Sequence, residues 1–222
     1  MSATGSTSPP SVLAGPVRVV LRTKDECVDD PRLEAFSVGD GPASKEVRMI
    51  LENLTGGEAN PQTVALLEQA ADGALLGLAC VRMDGNAQVR AKSSTPWFLR
   101  RLAGNPYVNL IARDQRYRNH LLADGRTRLG EALVRAALEV VGVEHPGRGL
   151  PTVWALVQPT NYSSKRVFAR FAFYPHDRSD ENQQDVLVRR AGRALPPPPG
   201  ADAYLPARWG TDAKDLAAER WR

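Results

Sequence analysis

Cysteine is nearly absent: Cys27 and Cys80 are the only two in 222 residues. Two thiols cannot make a disulfide framework or a cysteine-rich zinc site. One isolated bridge is the most they allow, and reduced thiols in a cytoplasmic protein are the simpler expectation. Histidine is almost as scarce. His120, His145 and His176 fall in expected loops without ligand spacing, so no metal site is expected. No run approaches about 18 consecutive apolar residues, so no membrane span is expected. Met1 to Pro16 lacks a basic stretch followed by an apolar one, so no secretory leader is expected there. Excess charge is also missing. The formal balance is +4, compatible with anionic ligands without demanding nucleic acid. What is present is ordinary for a folded domain: 42% hydrophobic and 24% charged residues, which excludes a wholly disordered chain.

Residues 1–16 are rich in Ser, Thr, Gly and Pro and read as a loose tail. Val17 to Arg22 reads as a first strand. Asp25 to Pro42 is polar and turn-rich, with room for two short elements. Ser44 to Leu54 spaces Val47, Ile50, Leu51 and Leu54 as a helix does, and Pro61 to Ala71 reads as a second helix with proline in its first turn. Ala74 to Met83, then Asp84-Gly85-Asn86, then Ala87 to Lys92 read as a hairpin. Further strands are expected at Pro106 to Ala112 and Thr152 to Val157, and closing strands at Phe173-Tyr174 and Val186 to Val188. His176 to Asp185 is expected as a loop. Ser163 to Phe171 reads as a helix, Pro196 to Pro199 as a stiff linker, and Asp212 to Arg222 as a short helix. This order predicts an α/β (α+β) domain over 17–190, with a Pro-rich linker and extension over 191–222.

The clearest helix is Leu129 to Val141. Leu129, Ala132, Leu133, Ala136, Ala137, Val140 and Val141 make one apolar face. Asp124-Gly-Arg-Thr-Arg-Leu-Gly130 leads into it, with Thr127 expected as N-cap. A first turn exposes unpaired N–H groups and the positive end of the helix dipole. Gly130 removes a side chain where a phosphate would approach, and Arg126 and Arg128 add positive charge. Such a loop suits a diphosphate; a solvated basic loop is the plainer alternative.

Two segments together resemble the GCN5-related N-acetyltransferase (GNAT) superfamily. The first is the strand, loop and helix from Asn109 to Val141, where Gly125-Arg-Thr-Arg-Leu-Gly130 stands in place of the family's (Gln/Arg)-x-x-Gly-x-(Gly/Ala). Arg128 replaces the central glycine, Gly125 the leading Gln or Arg, and an insertion at about 119–124 makes Arg118 a rival for the leading basic position. The second is Thr152 to Phe173, where Asn161, Ser164, Phe168 and Phe173 match Asn-x-x-(Ala/Ser)-x-x-x-(Tyr/Phe)-x-x-x-Gly-Phe, with Ala172 for the glycine. Leu33 to Asp40 faintly resembles the Phe-x-Cys-Gly segment of toxin-type GNAT proteins, with Val38 for the cysteine.

The resemblance implies a central mixed, mostly antiparallel sheet flanked by helices, with acetyl-CoA as acyl donor and a primary amine of a small molecule or protein as acceptor. It places the donor on the strand at Ile111, Ala112 and Arg113, on the loop and helix start at Arg126, Thr127, Arg128, Leu129, Gly130 and Glu131, and on Asn161 and Phe168. Many family members use a tyrosine at the Phe168 position to protonate the leaving thiolate. Phenylalanine has no proton to give, which leaves Ser164, one turn earlier, as the candidate donor, beside Tyr162, Tyr174 and water. Glu46, Glu52, Glu68, Asp114 and His120 are bases by type alone. An α-amine costs about 1.4 kcal/mol to deprotonate at pH 7 and a lysine amine about 4.6, so an α-amine needs less help. The alternatives are a toxin-type enzyme acting on aminoacyl-tRNA and a degenerate CoA-binding regulatory module. A homodimer is left open; nucleic acid is a partner not favoured, and a membrane is not expected.

Overall fold

The structure, a computed structural model, describes residues 9–40, 44–55, 62–86, 97–146, 149–179 and 184–209. The strands are β1 (Ser11–Val12), β2 (Val17–Thr23), β3 (Thr63–Gln69), β4 (Leu75–Arg82), β5 (Tyr107–Arg113), β6 (His120–Leu121), β7 (Val153–Val157), β8 (Tyr174–Ser179), β9 (Gln184–Arg189) and β10 (Tyr204–Trp209). The helices are α1 (Pro31–Glu34), α2 (Ser44–Thr55), α3 (Trp97–Leu102), α4 (Leu129–Glu144) and α5 (Tyr162–Arg170). Eight strands form one sheet in the order β10-β2-β3-β4-β5-β7-β9-β8. The β10–β2 and β5–β7 pairs are parallel and the rest antiparallel. This is the mixed, mostly antiparallel sheet that the motifs implied.

Strand alternation splits the core between the two faces. Val19, Leu21, Ala65, Leu67, Leu76 and Ala79 meet the apolar stripe of α4. Val64, Leu66, Leu78, Cys80 and Leu110 meet Leu33 of α1 and Val47, Leu51 and Leu54 of α2. Leu99 and Ala103, in and just after α3, pack with Tyr107, Trp154, Val186 and Val188 on that second face. Gly77 sets how closely α4 lies on the sheet: a Cβ there would stand 2.7 Å from the Ala112 carbonyl oxygen and 2.8 Å from Leu133 Cδ1.

The expected helix at 61–71 is instead strand β3. Its side chains are buried on both faces, so no polar side marks it as a strand, and an apolar run of that kind also satisfies helical spacing. Hydrogen bonding to β2 and β4 on its two edges decides the matter. The second arm of the expected hairpin, 87–92, lies outside the described residues, and β4 has its edges filled by β3 and β5. The expected loop at 176–185 is largely strand, because β8 runs to Ser179 and β9 starts at Gln184.

The folded unit also extends past both expected boundaries. Before residue 17, β1 pairs with β6 and Leu13 is buried. After residue 190, β10 joins the sheet beside β2, with Ala203 and Tyr204 in the core. Two side chains of α4 tie this segment down. Arg135 Nη2 donates to the carbonyls of Pro196 and Pro197 at 2.6 and 2.9 Å. Glu139 accepts from the Tyr204 hydroxyl at 3.0 Å and the Ala207 amide at 2.9 Å. Burial pushes the Glu139 carboxyl above its ordinary value despite those donors. The expected helix at 212–222 lies outside the described residues. Cys27 and Cys80 are buried free thiols, and Cys27 is pushed up to about 12, first by burial and then by the nearby Asp30 and Glu26 carboxylates.

Candidate active site

The sheet parts between β5 and β7. The two strands pair only at Tyr107–Trp154 and Val108–Ala155. Beyond that, the β5 register against β4 slips by one residue at Asn109, a bulge that bends β5 away. Asn109 Nδ2 donates to Gln62 on the neighbouring chain segment at 2.9 Å. Past the bulge the alternation is plain. The Asp114 amide donates to Leu76 of β4, so Ala112 faces β4 as well, and the Ile111 and Arg113 amides turn into the wedge. Of the three strand residues expected at the site, Ile111 and Arg113 turn their amides into the wedge and Ala112 turns its amide to β4.

The loop before α4 narrows the expected set further. Gly125, at φ 65°, makes a turn that L side chains disfavour. Asp124 Oδ1 accepts from the Arg126 and Thr127 amides, each at 2.8 Å, and Asp124 Oδ2 from the Thr127 hydroxyl at 2.6 Å. Thr127 is therefore spent on this turn, and Arg128 rather than Thr127 is the N-cap. Glu131 reaches back to the Arg128 amide at 3.4 Å, while its own amide donates to the Arg128 carbonyl at 2.9 Å. Leu129 buries its side chain in the core. Of the six loop and helix-start amides, that of Leu129 faces the His120 carbonyl across the Leu121–Arg128 bridge, and that of Gly130 has no hydrogen-bond partner among the described residues.

Helix α5 supplies the opposite wall. Asn161 is its N-cap, accepting from the Ser164 amide at 3.2 Å and the Ser163 hydroxyl at 3.0 Å. Phe168 is buried and packs edge-to-face on Phe173, with ring centroids 4.8 Å apart. The Ser164 hydroxyl has no partner among the described residues. Ala172, in place of the family glycine, holds φ at 61°, the left-handed conformation that glycine would adopt without strain.

Three cavities meet here. One of about 310 Å³ runs between Arg128, Gly130 and Leu133 of α4 and Ser163, Val167 and Phe168 of α5. A second, about 80 Å³, fills the wedge between Val108 to Ile111 and Ala155 to Gln158. A third, about 170 Å³, opens beneath α2 between Val38, Val47, Gln115 and Arg118. Ile111 and Ser164 line all three. Arg126 and Thr127 line none of them.

The groove is electropositive. Arg113, Arg128 and Arg166 line it without an ion pair among the described residues. Burial, and then repulsion from Arg118 and Arg128, lowers the pKa of Arg113, so an anion placed among these groups would relieve them. Arg170 also lines the groove, but it is ion-paired with Glu131. Arg166 and Arg170 were not anticipated. Their spacing from Ser163, three and seven residues on, puts them on its face of α5 and was the available signal.

No base stands free in the groove among the described residues. Asp114 has a fully buried side chain bound to Arg116. Burial raises its pKa, but the Arg116 guanidinium and the amides of Arg116 and Ser37 outweigh that and hold it low. Glu68 is buried between Arg18 and Arg32. Asp40 lies on the third cavity, exposed and paired with Arg48 at 3.5 Å. Glu52 and His120 line none of the three cavities, and the side chain of Glu46 lies outside the described set. Tyr162 is two-thirds exposed, with Lys165 over its ring, and Tyr174 bonds Arg190 away from the groove. Among the described residues no His, Cys, Asp and Glu side chains group as a metal site, and no helix is long and apolar enough to cross a membrane.

No protein-family model and no curated protein sequence matches the chain. Solved structures do. A bacterial toxin is 15% identical over 80% of this chain and 91% of its own, with a TM-score of 0.51. A GNAT-family acetyltransferase from Bordetella pertussis, 15% identical, covers 71% and 86% at a TM-score of 0.42. An aminoglycoside acetyltransferase in complex with coenzyme A and kanamycin, 15% identical, covers 78% and 94% at 0.44.

Proposed function

We propose that the chain has the GNAT fold and is an acetyl-CoA-dependent N-acetyltransferase acting on a primary amine of a small molecule or protein. One observation carries the reading: the parted strands, the open amide of Gly130, and the arginine-lined cavity meet along one groove at Ile111 and Ser164. The residues present fit the donor. A Cβ on Gly130 would meet nothing nearer than Val167 Cγ2 at 3.7 Å, so the helix start is open to a diphosphate. Arg128 and Arg166 supply charge beside it. Leu133, Val167 and Phe168 give the apolar wall that a pantetheine arm needs.

Acetyl-CoA supplies an acetyl group activated as a thioester; the C–N bond forms as the C–S bond breaks. The chain holds the two reactants in line, which can be worth about 7–11 kcal/mol. The Ile111 amide in the wedge is set to donate to the carbonyl oxygen as it gains charge. Ser164, with its hydroxyl uncommitted, hands its proton to the departing sulfur and takes one back, through water, from the nitrogen that has formed the new bond, the part that Phe168 cannot play. The described lining offers no free base, which suits an acceptor whose amine is already partly neutral.

That last point, with the likeness to a bacterial toxin, favours a second reading, in which the acceptor is the α-amine of an aminoacyl-tRNA. Calorimetry with acetyl-CoA, followed by turnover on an amine panel that includes aminoacyl-tRNA, tests both. Failure to bind the donor overturns the enzyme reading, and binding without turnover favours a CoA-binding regulatory module.

A further inference from the structure

Outside the groove, α3 and β8 build a row of rings. Trp97, Phe98, His176 and Tyr174 follow one another edge-to-face, with centroid distances of 6.5, 5.4 and 6.3 Å. Arg190 ends the row. Its guanidinium lies 5.3 Å from the Tyr174 ring centroid, and its Nε donates to the Tyr174 hydroxyl at 2.9 Å. The row is held from below, because Phe98 and Tyr174 pack on the cluster around Leu99, Tyr107, Trp154 and Val188. Its top is in water. Trp97 is 74% exposed, more than any other large hydrophobic side chain among the described residues. Strand β8 is the last in the sheet order, so among the described residues no further strand of that sheet lies beyond it.

The charges select the occupant. Arg190 is exposed at Tyr174, Arg101 is exposed four residues after Trp97 in α3, and neither is in an ion pair among the described residues. A purely apolar partner would strip water from both guanidinium groups without replacing it. Flat rings flanked by guanidinium groups match bases that stack and phosphates that carry charge. We propose that the row from Trp97 to Arg190 binds an unpaired run of a nucleic-acid strand, with bases on the aromatic rings and phosphates on Arg190 and Arg101. The site stands whether or not the groove transfers an acyl group. The two adjoin, since Leu156 lines the wedge and also packs on the cluster beneath the rings.

The test uses the full chain at low salt, titrated with a fluorescein-labelled single-stranded RNA dodecamer, its DNA counterpart and the matching duplex. The expected result is rising anisotropy with the single strands and quenched tryptophan emission. The logarithm of affinity should fall with the logarithm of salt with a slope near −1.4, about 0.7 for each of two phosphates. Trp97→Ala should weaken binding roughly 5- to 100-fold and remove the quenching, while Trp97→Phe retains most of the affinity. Both variants should melt with the parent, because Trp97 is largely exposed. The comparison of RNA with DNA identifies which strand is preferred. The proposal is overturned if neither signal changes, if the duplex binds as tightly as the single strands, or if Trp97→Ala binds like the parent. It also fails if sedimentation finds a dimer that Trp97→Ala dissolves while oligonucleotides do not bind.

Discussion

Replacing Gly130 with alanine should move stability and donor binding in opposite directions. Gly130 is the second residue of α4, and its new Cβ would make an ordinary contact at 3.7 Å with Val167 Cγ2. Nothing in the protein resists the methyl group. Alanine is favoured over glycine by up to about 1 kcal/mol in a helix, and by less in the first turn, so a gain of about 0.5 kcal/mol is expected. For a chain of this size that raises the melting temperature by about 1–2 °C. Gly130 lines the cavity at the helix start, so the same methyl takes space that a diphosphate on the Gly130 amide would need. Losing one charge-assisted hydrogen bond costs about 1.5–3 kcal/mol, so coenzyme A should bind roughly 10- to 100-fold more weakly. Thermal melts without ligand and calorimetry with coenzyme A read the two effects separately. Unchanged affinity in a stabilised variant would refute the placement of the diphosphate at α4. A lowered melting temperature would refute the contact geometry between α4 and α5.

Ala172→Gly should stabilise the protein by about 0.5–1 kcal/mol, because relief of the left-handed strain at φ 61° exceeds the entropy that glycine adds to the unfolded chain. A higher urea midpoint with an unchanged slope supports this, and a lower one counts against it. Asp124→Asn tests the turn before α4. Burial raises the Asp124 pKa, but the Thr127 hydroxyl and the Thr127 and Arg126 amides outweigh it, so the carboxyl titrates below its ordinary value. A depressed folded pKa gives stability that is present above the unfolded value of about 3.9 and lost as pH falls through the folded one. The variant should therefore melt below the parent at neutral pH, with the gap closing on acidification below about pH 4. An equal gap across the whole range would show that the carboxylate charge is not what holds the turn.

Much of the local structure around the candidate site was readable from local pattern. The apolar stripe from Leu129 to Val141 became α4, and Asn161 and Phe168 came out in register at the start and on the inner face of α5. Gly130 stood where the helix start opens. The amides were harder to read. Six backbone groups from Arg126 to Glu131 looked equivalent, and the Asp124 and Glu131 side chains and the Arg128 carbonyl took four of them. Whether a side chain folds back onto a given N–H depends on rotamers and turn geometry that residue spacing does not specify.

Helix faces and the absence of a side chain at Gly130 follow from the order of residues within a few positions, and the amino-acid sequence alone settles them, whereas the N-cap expected at Thr127 moved to Arg128 once Asp124 claimed the threonine. Strand β3 needed β2 and β4 on its edges before its doubly apolar run could be told from a helix. Strand β10 lies nearly two hundred residues from β2, its partner, and no local signal announces that pairing. The wedge between β5 and β7, with Ile111 and Ser164 at its centre, exists because a bulge at Asn109 turns one strand from a neighbour more than forty residues away. Periodicity is a property of one segment, whereas strand partnership and the cavities it leaves belong to segments that meet only in the folded chain.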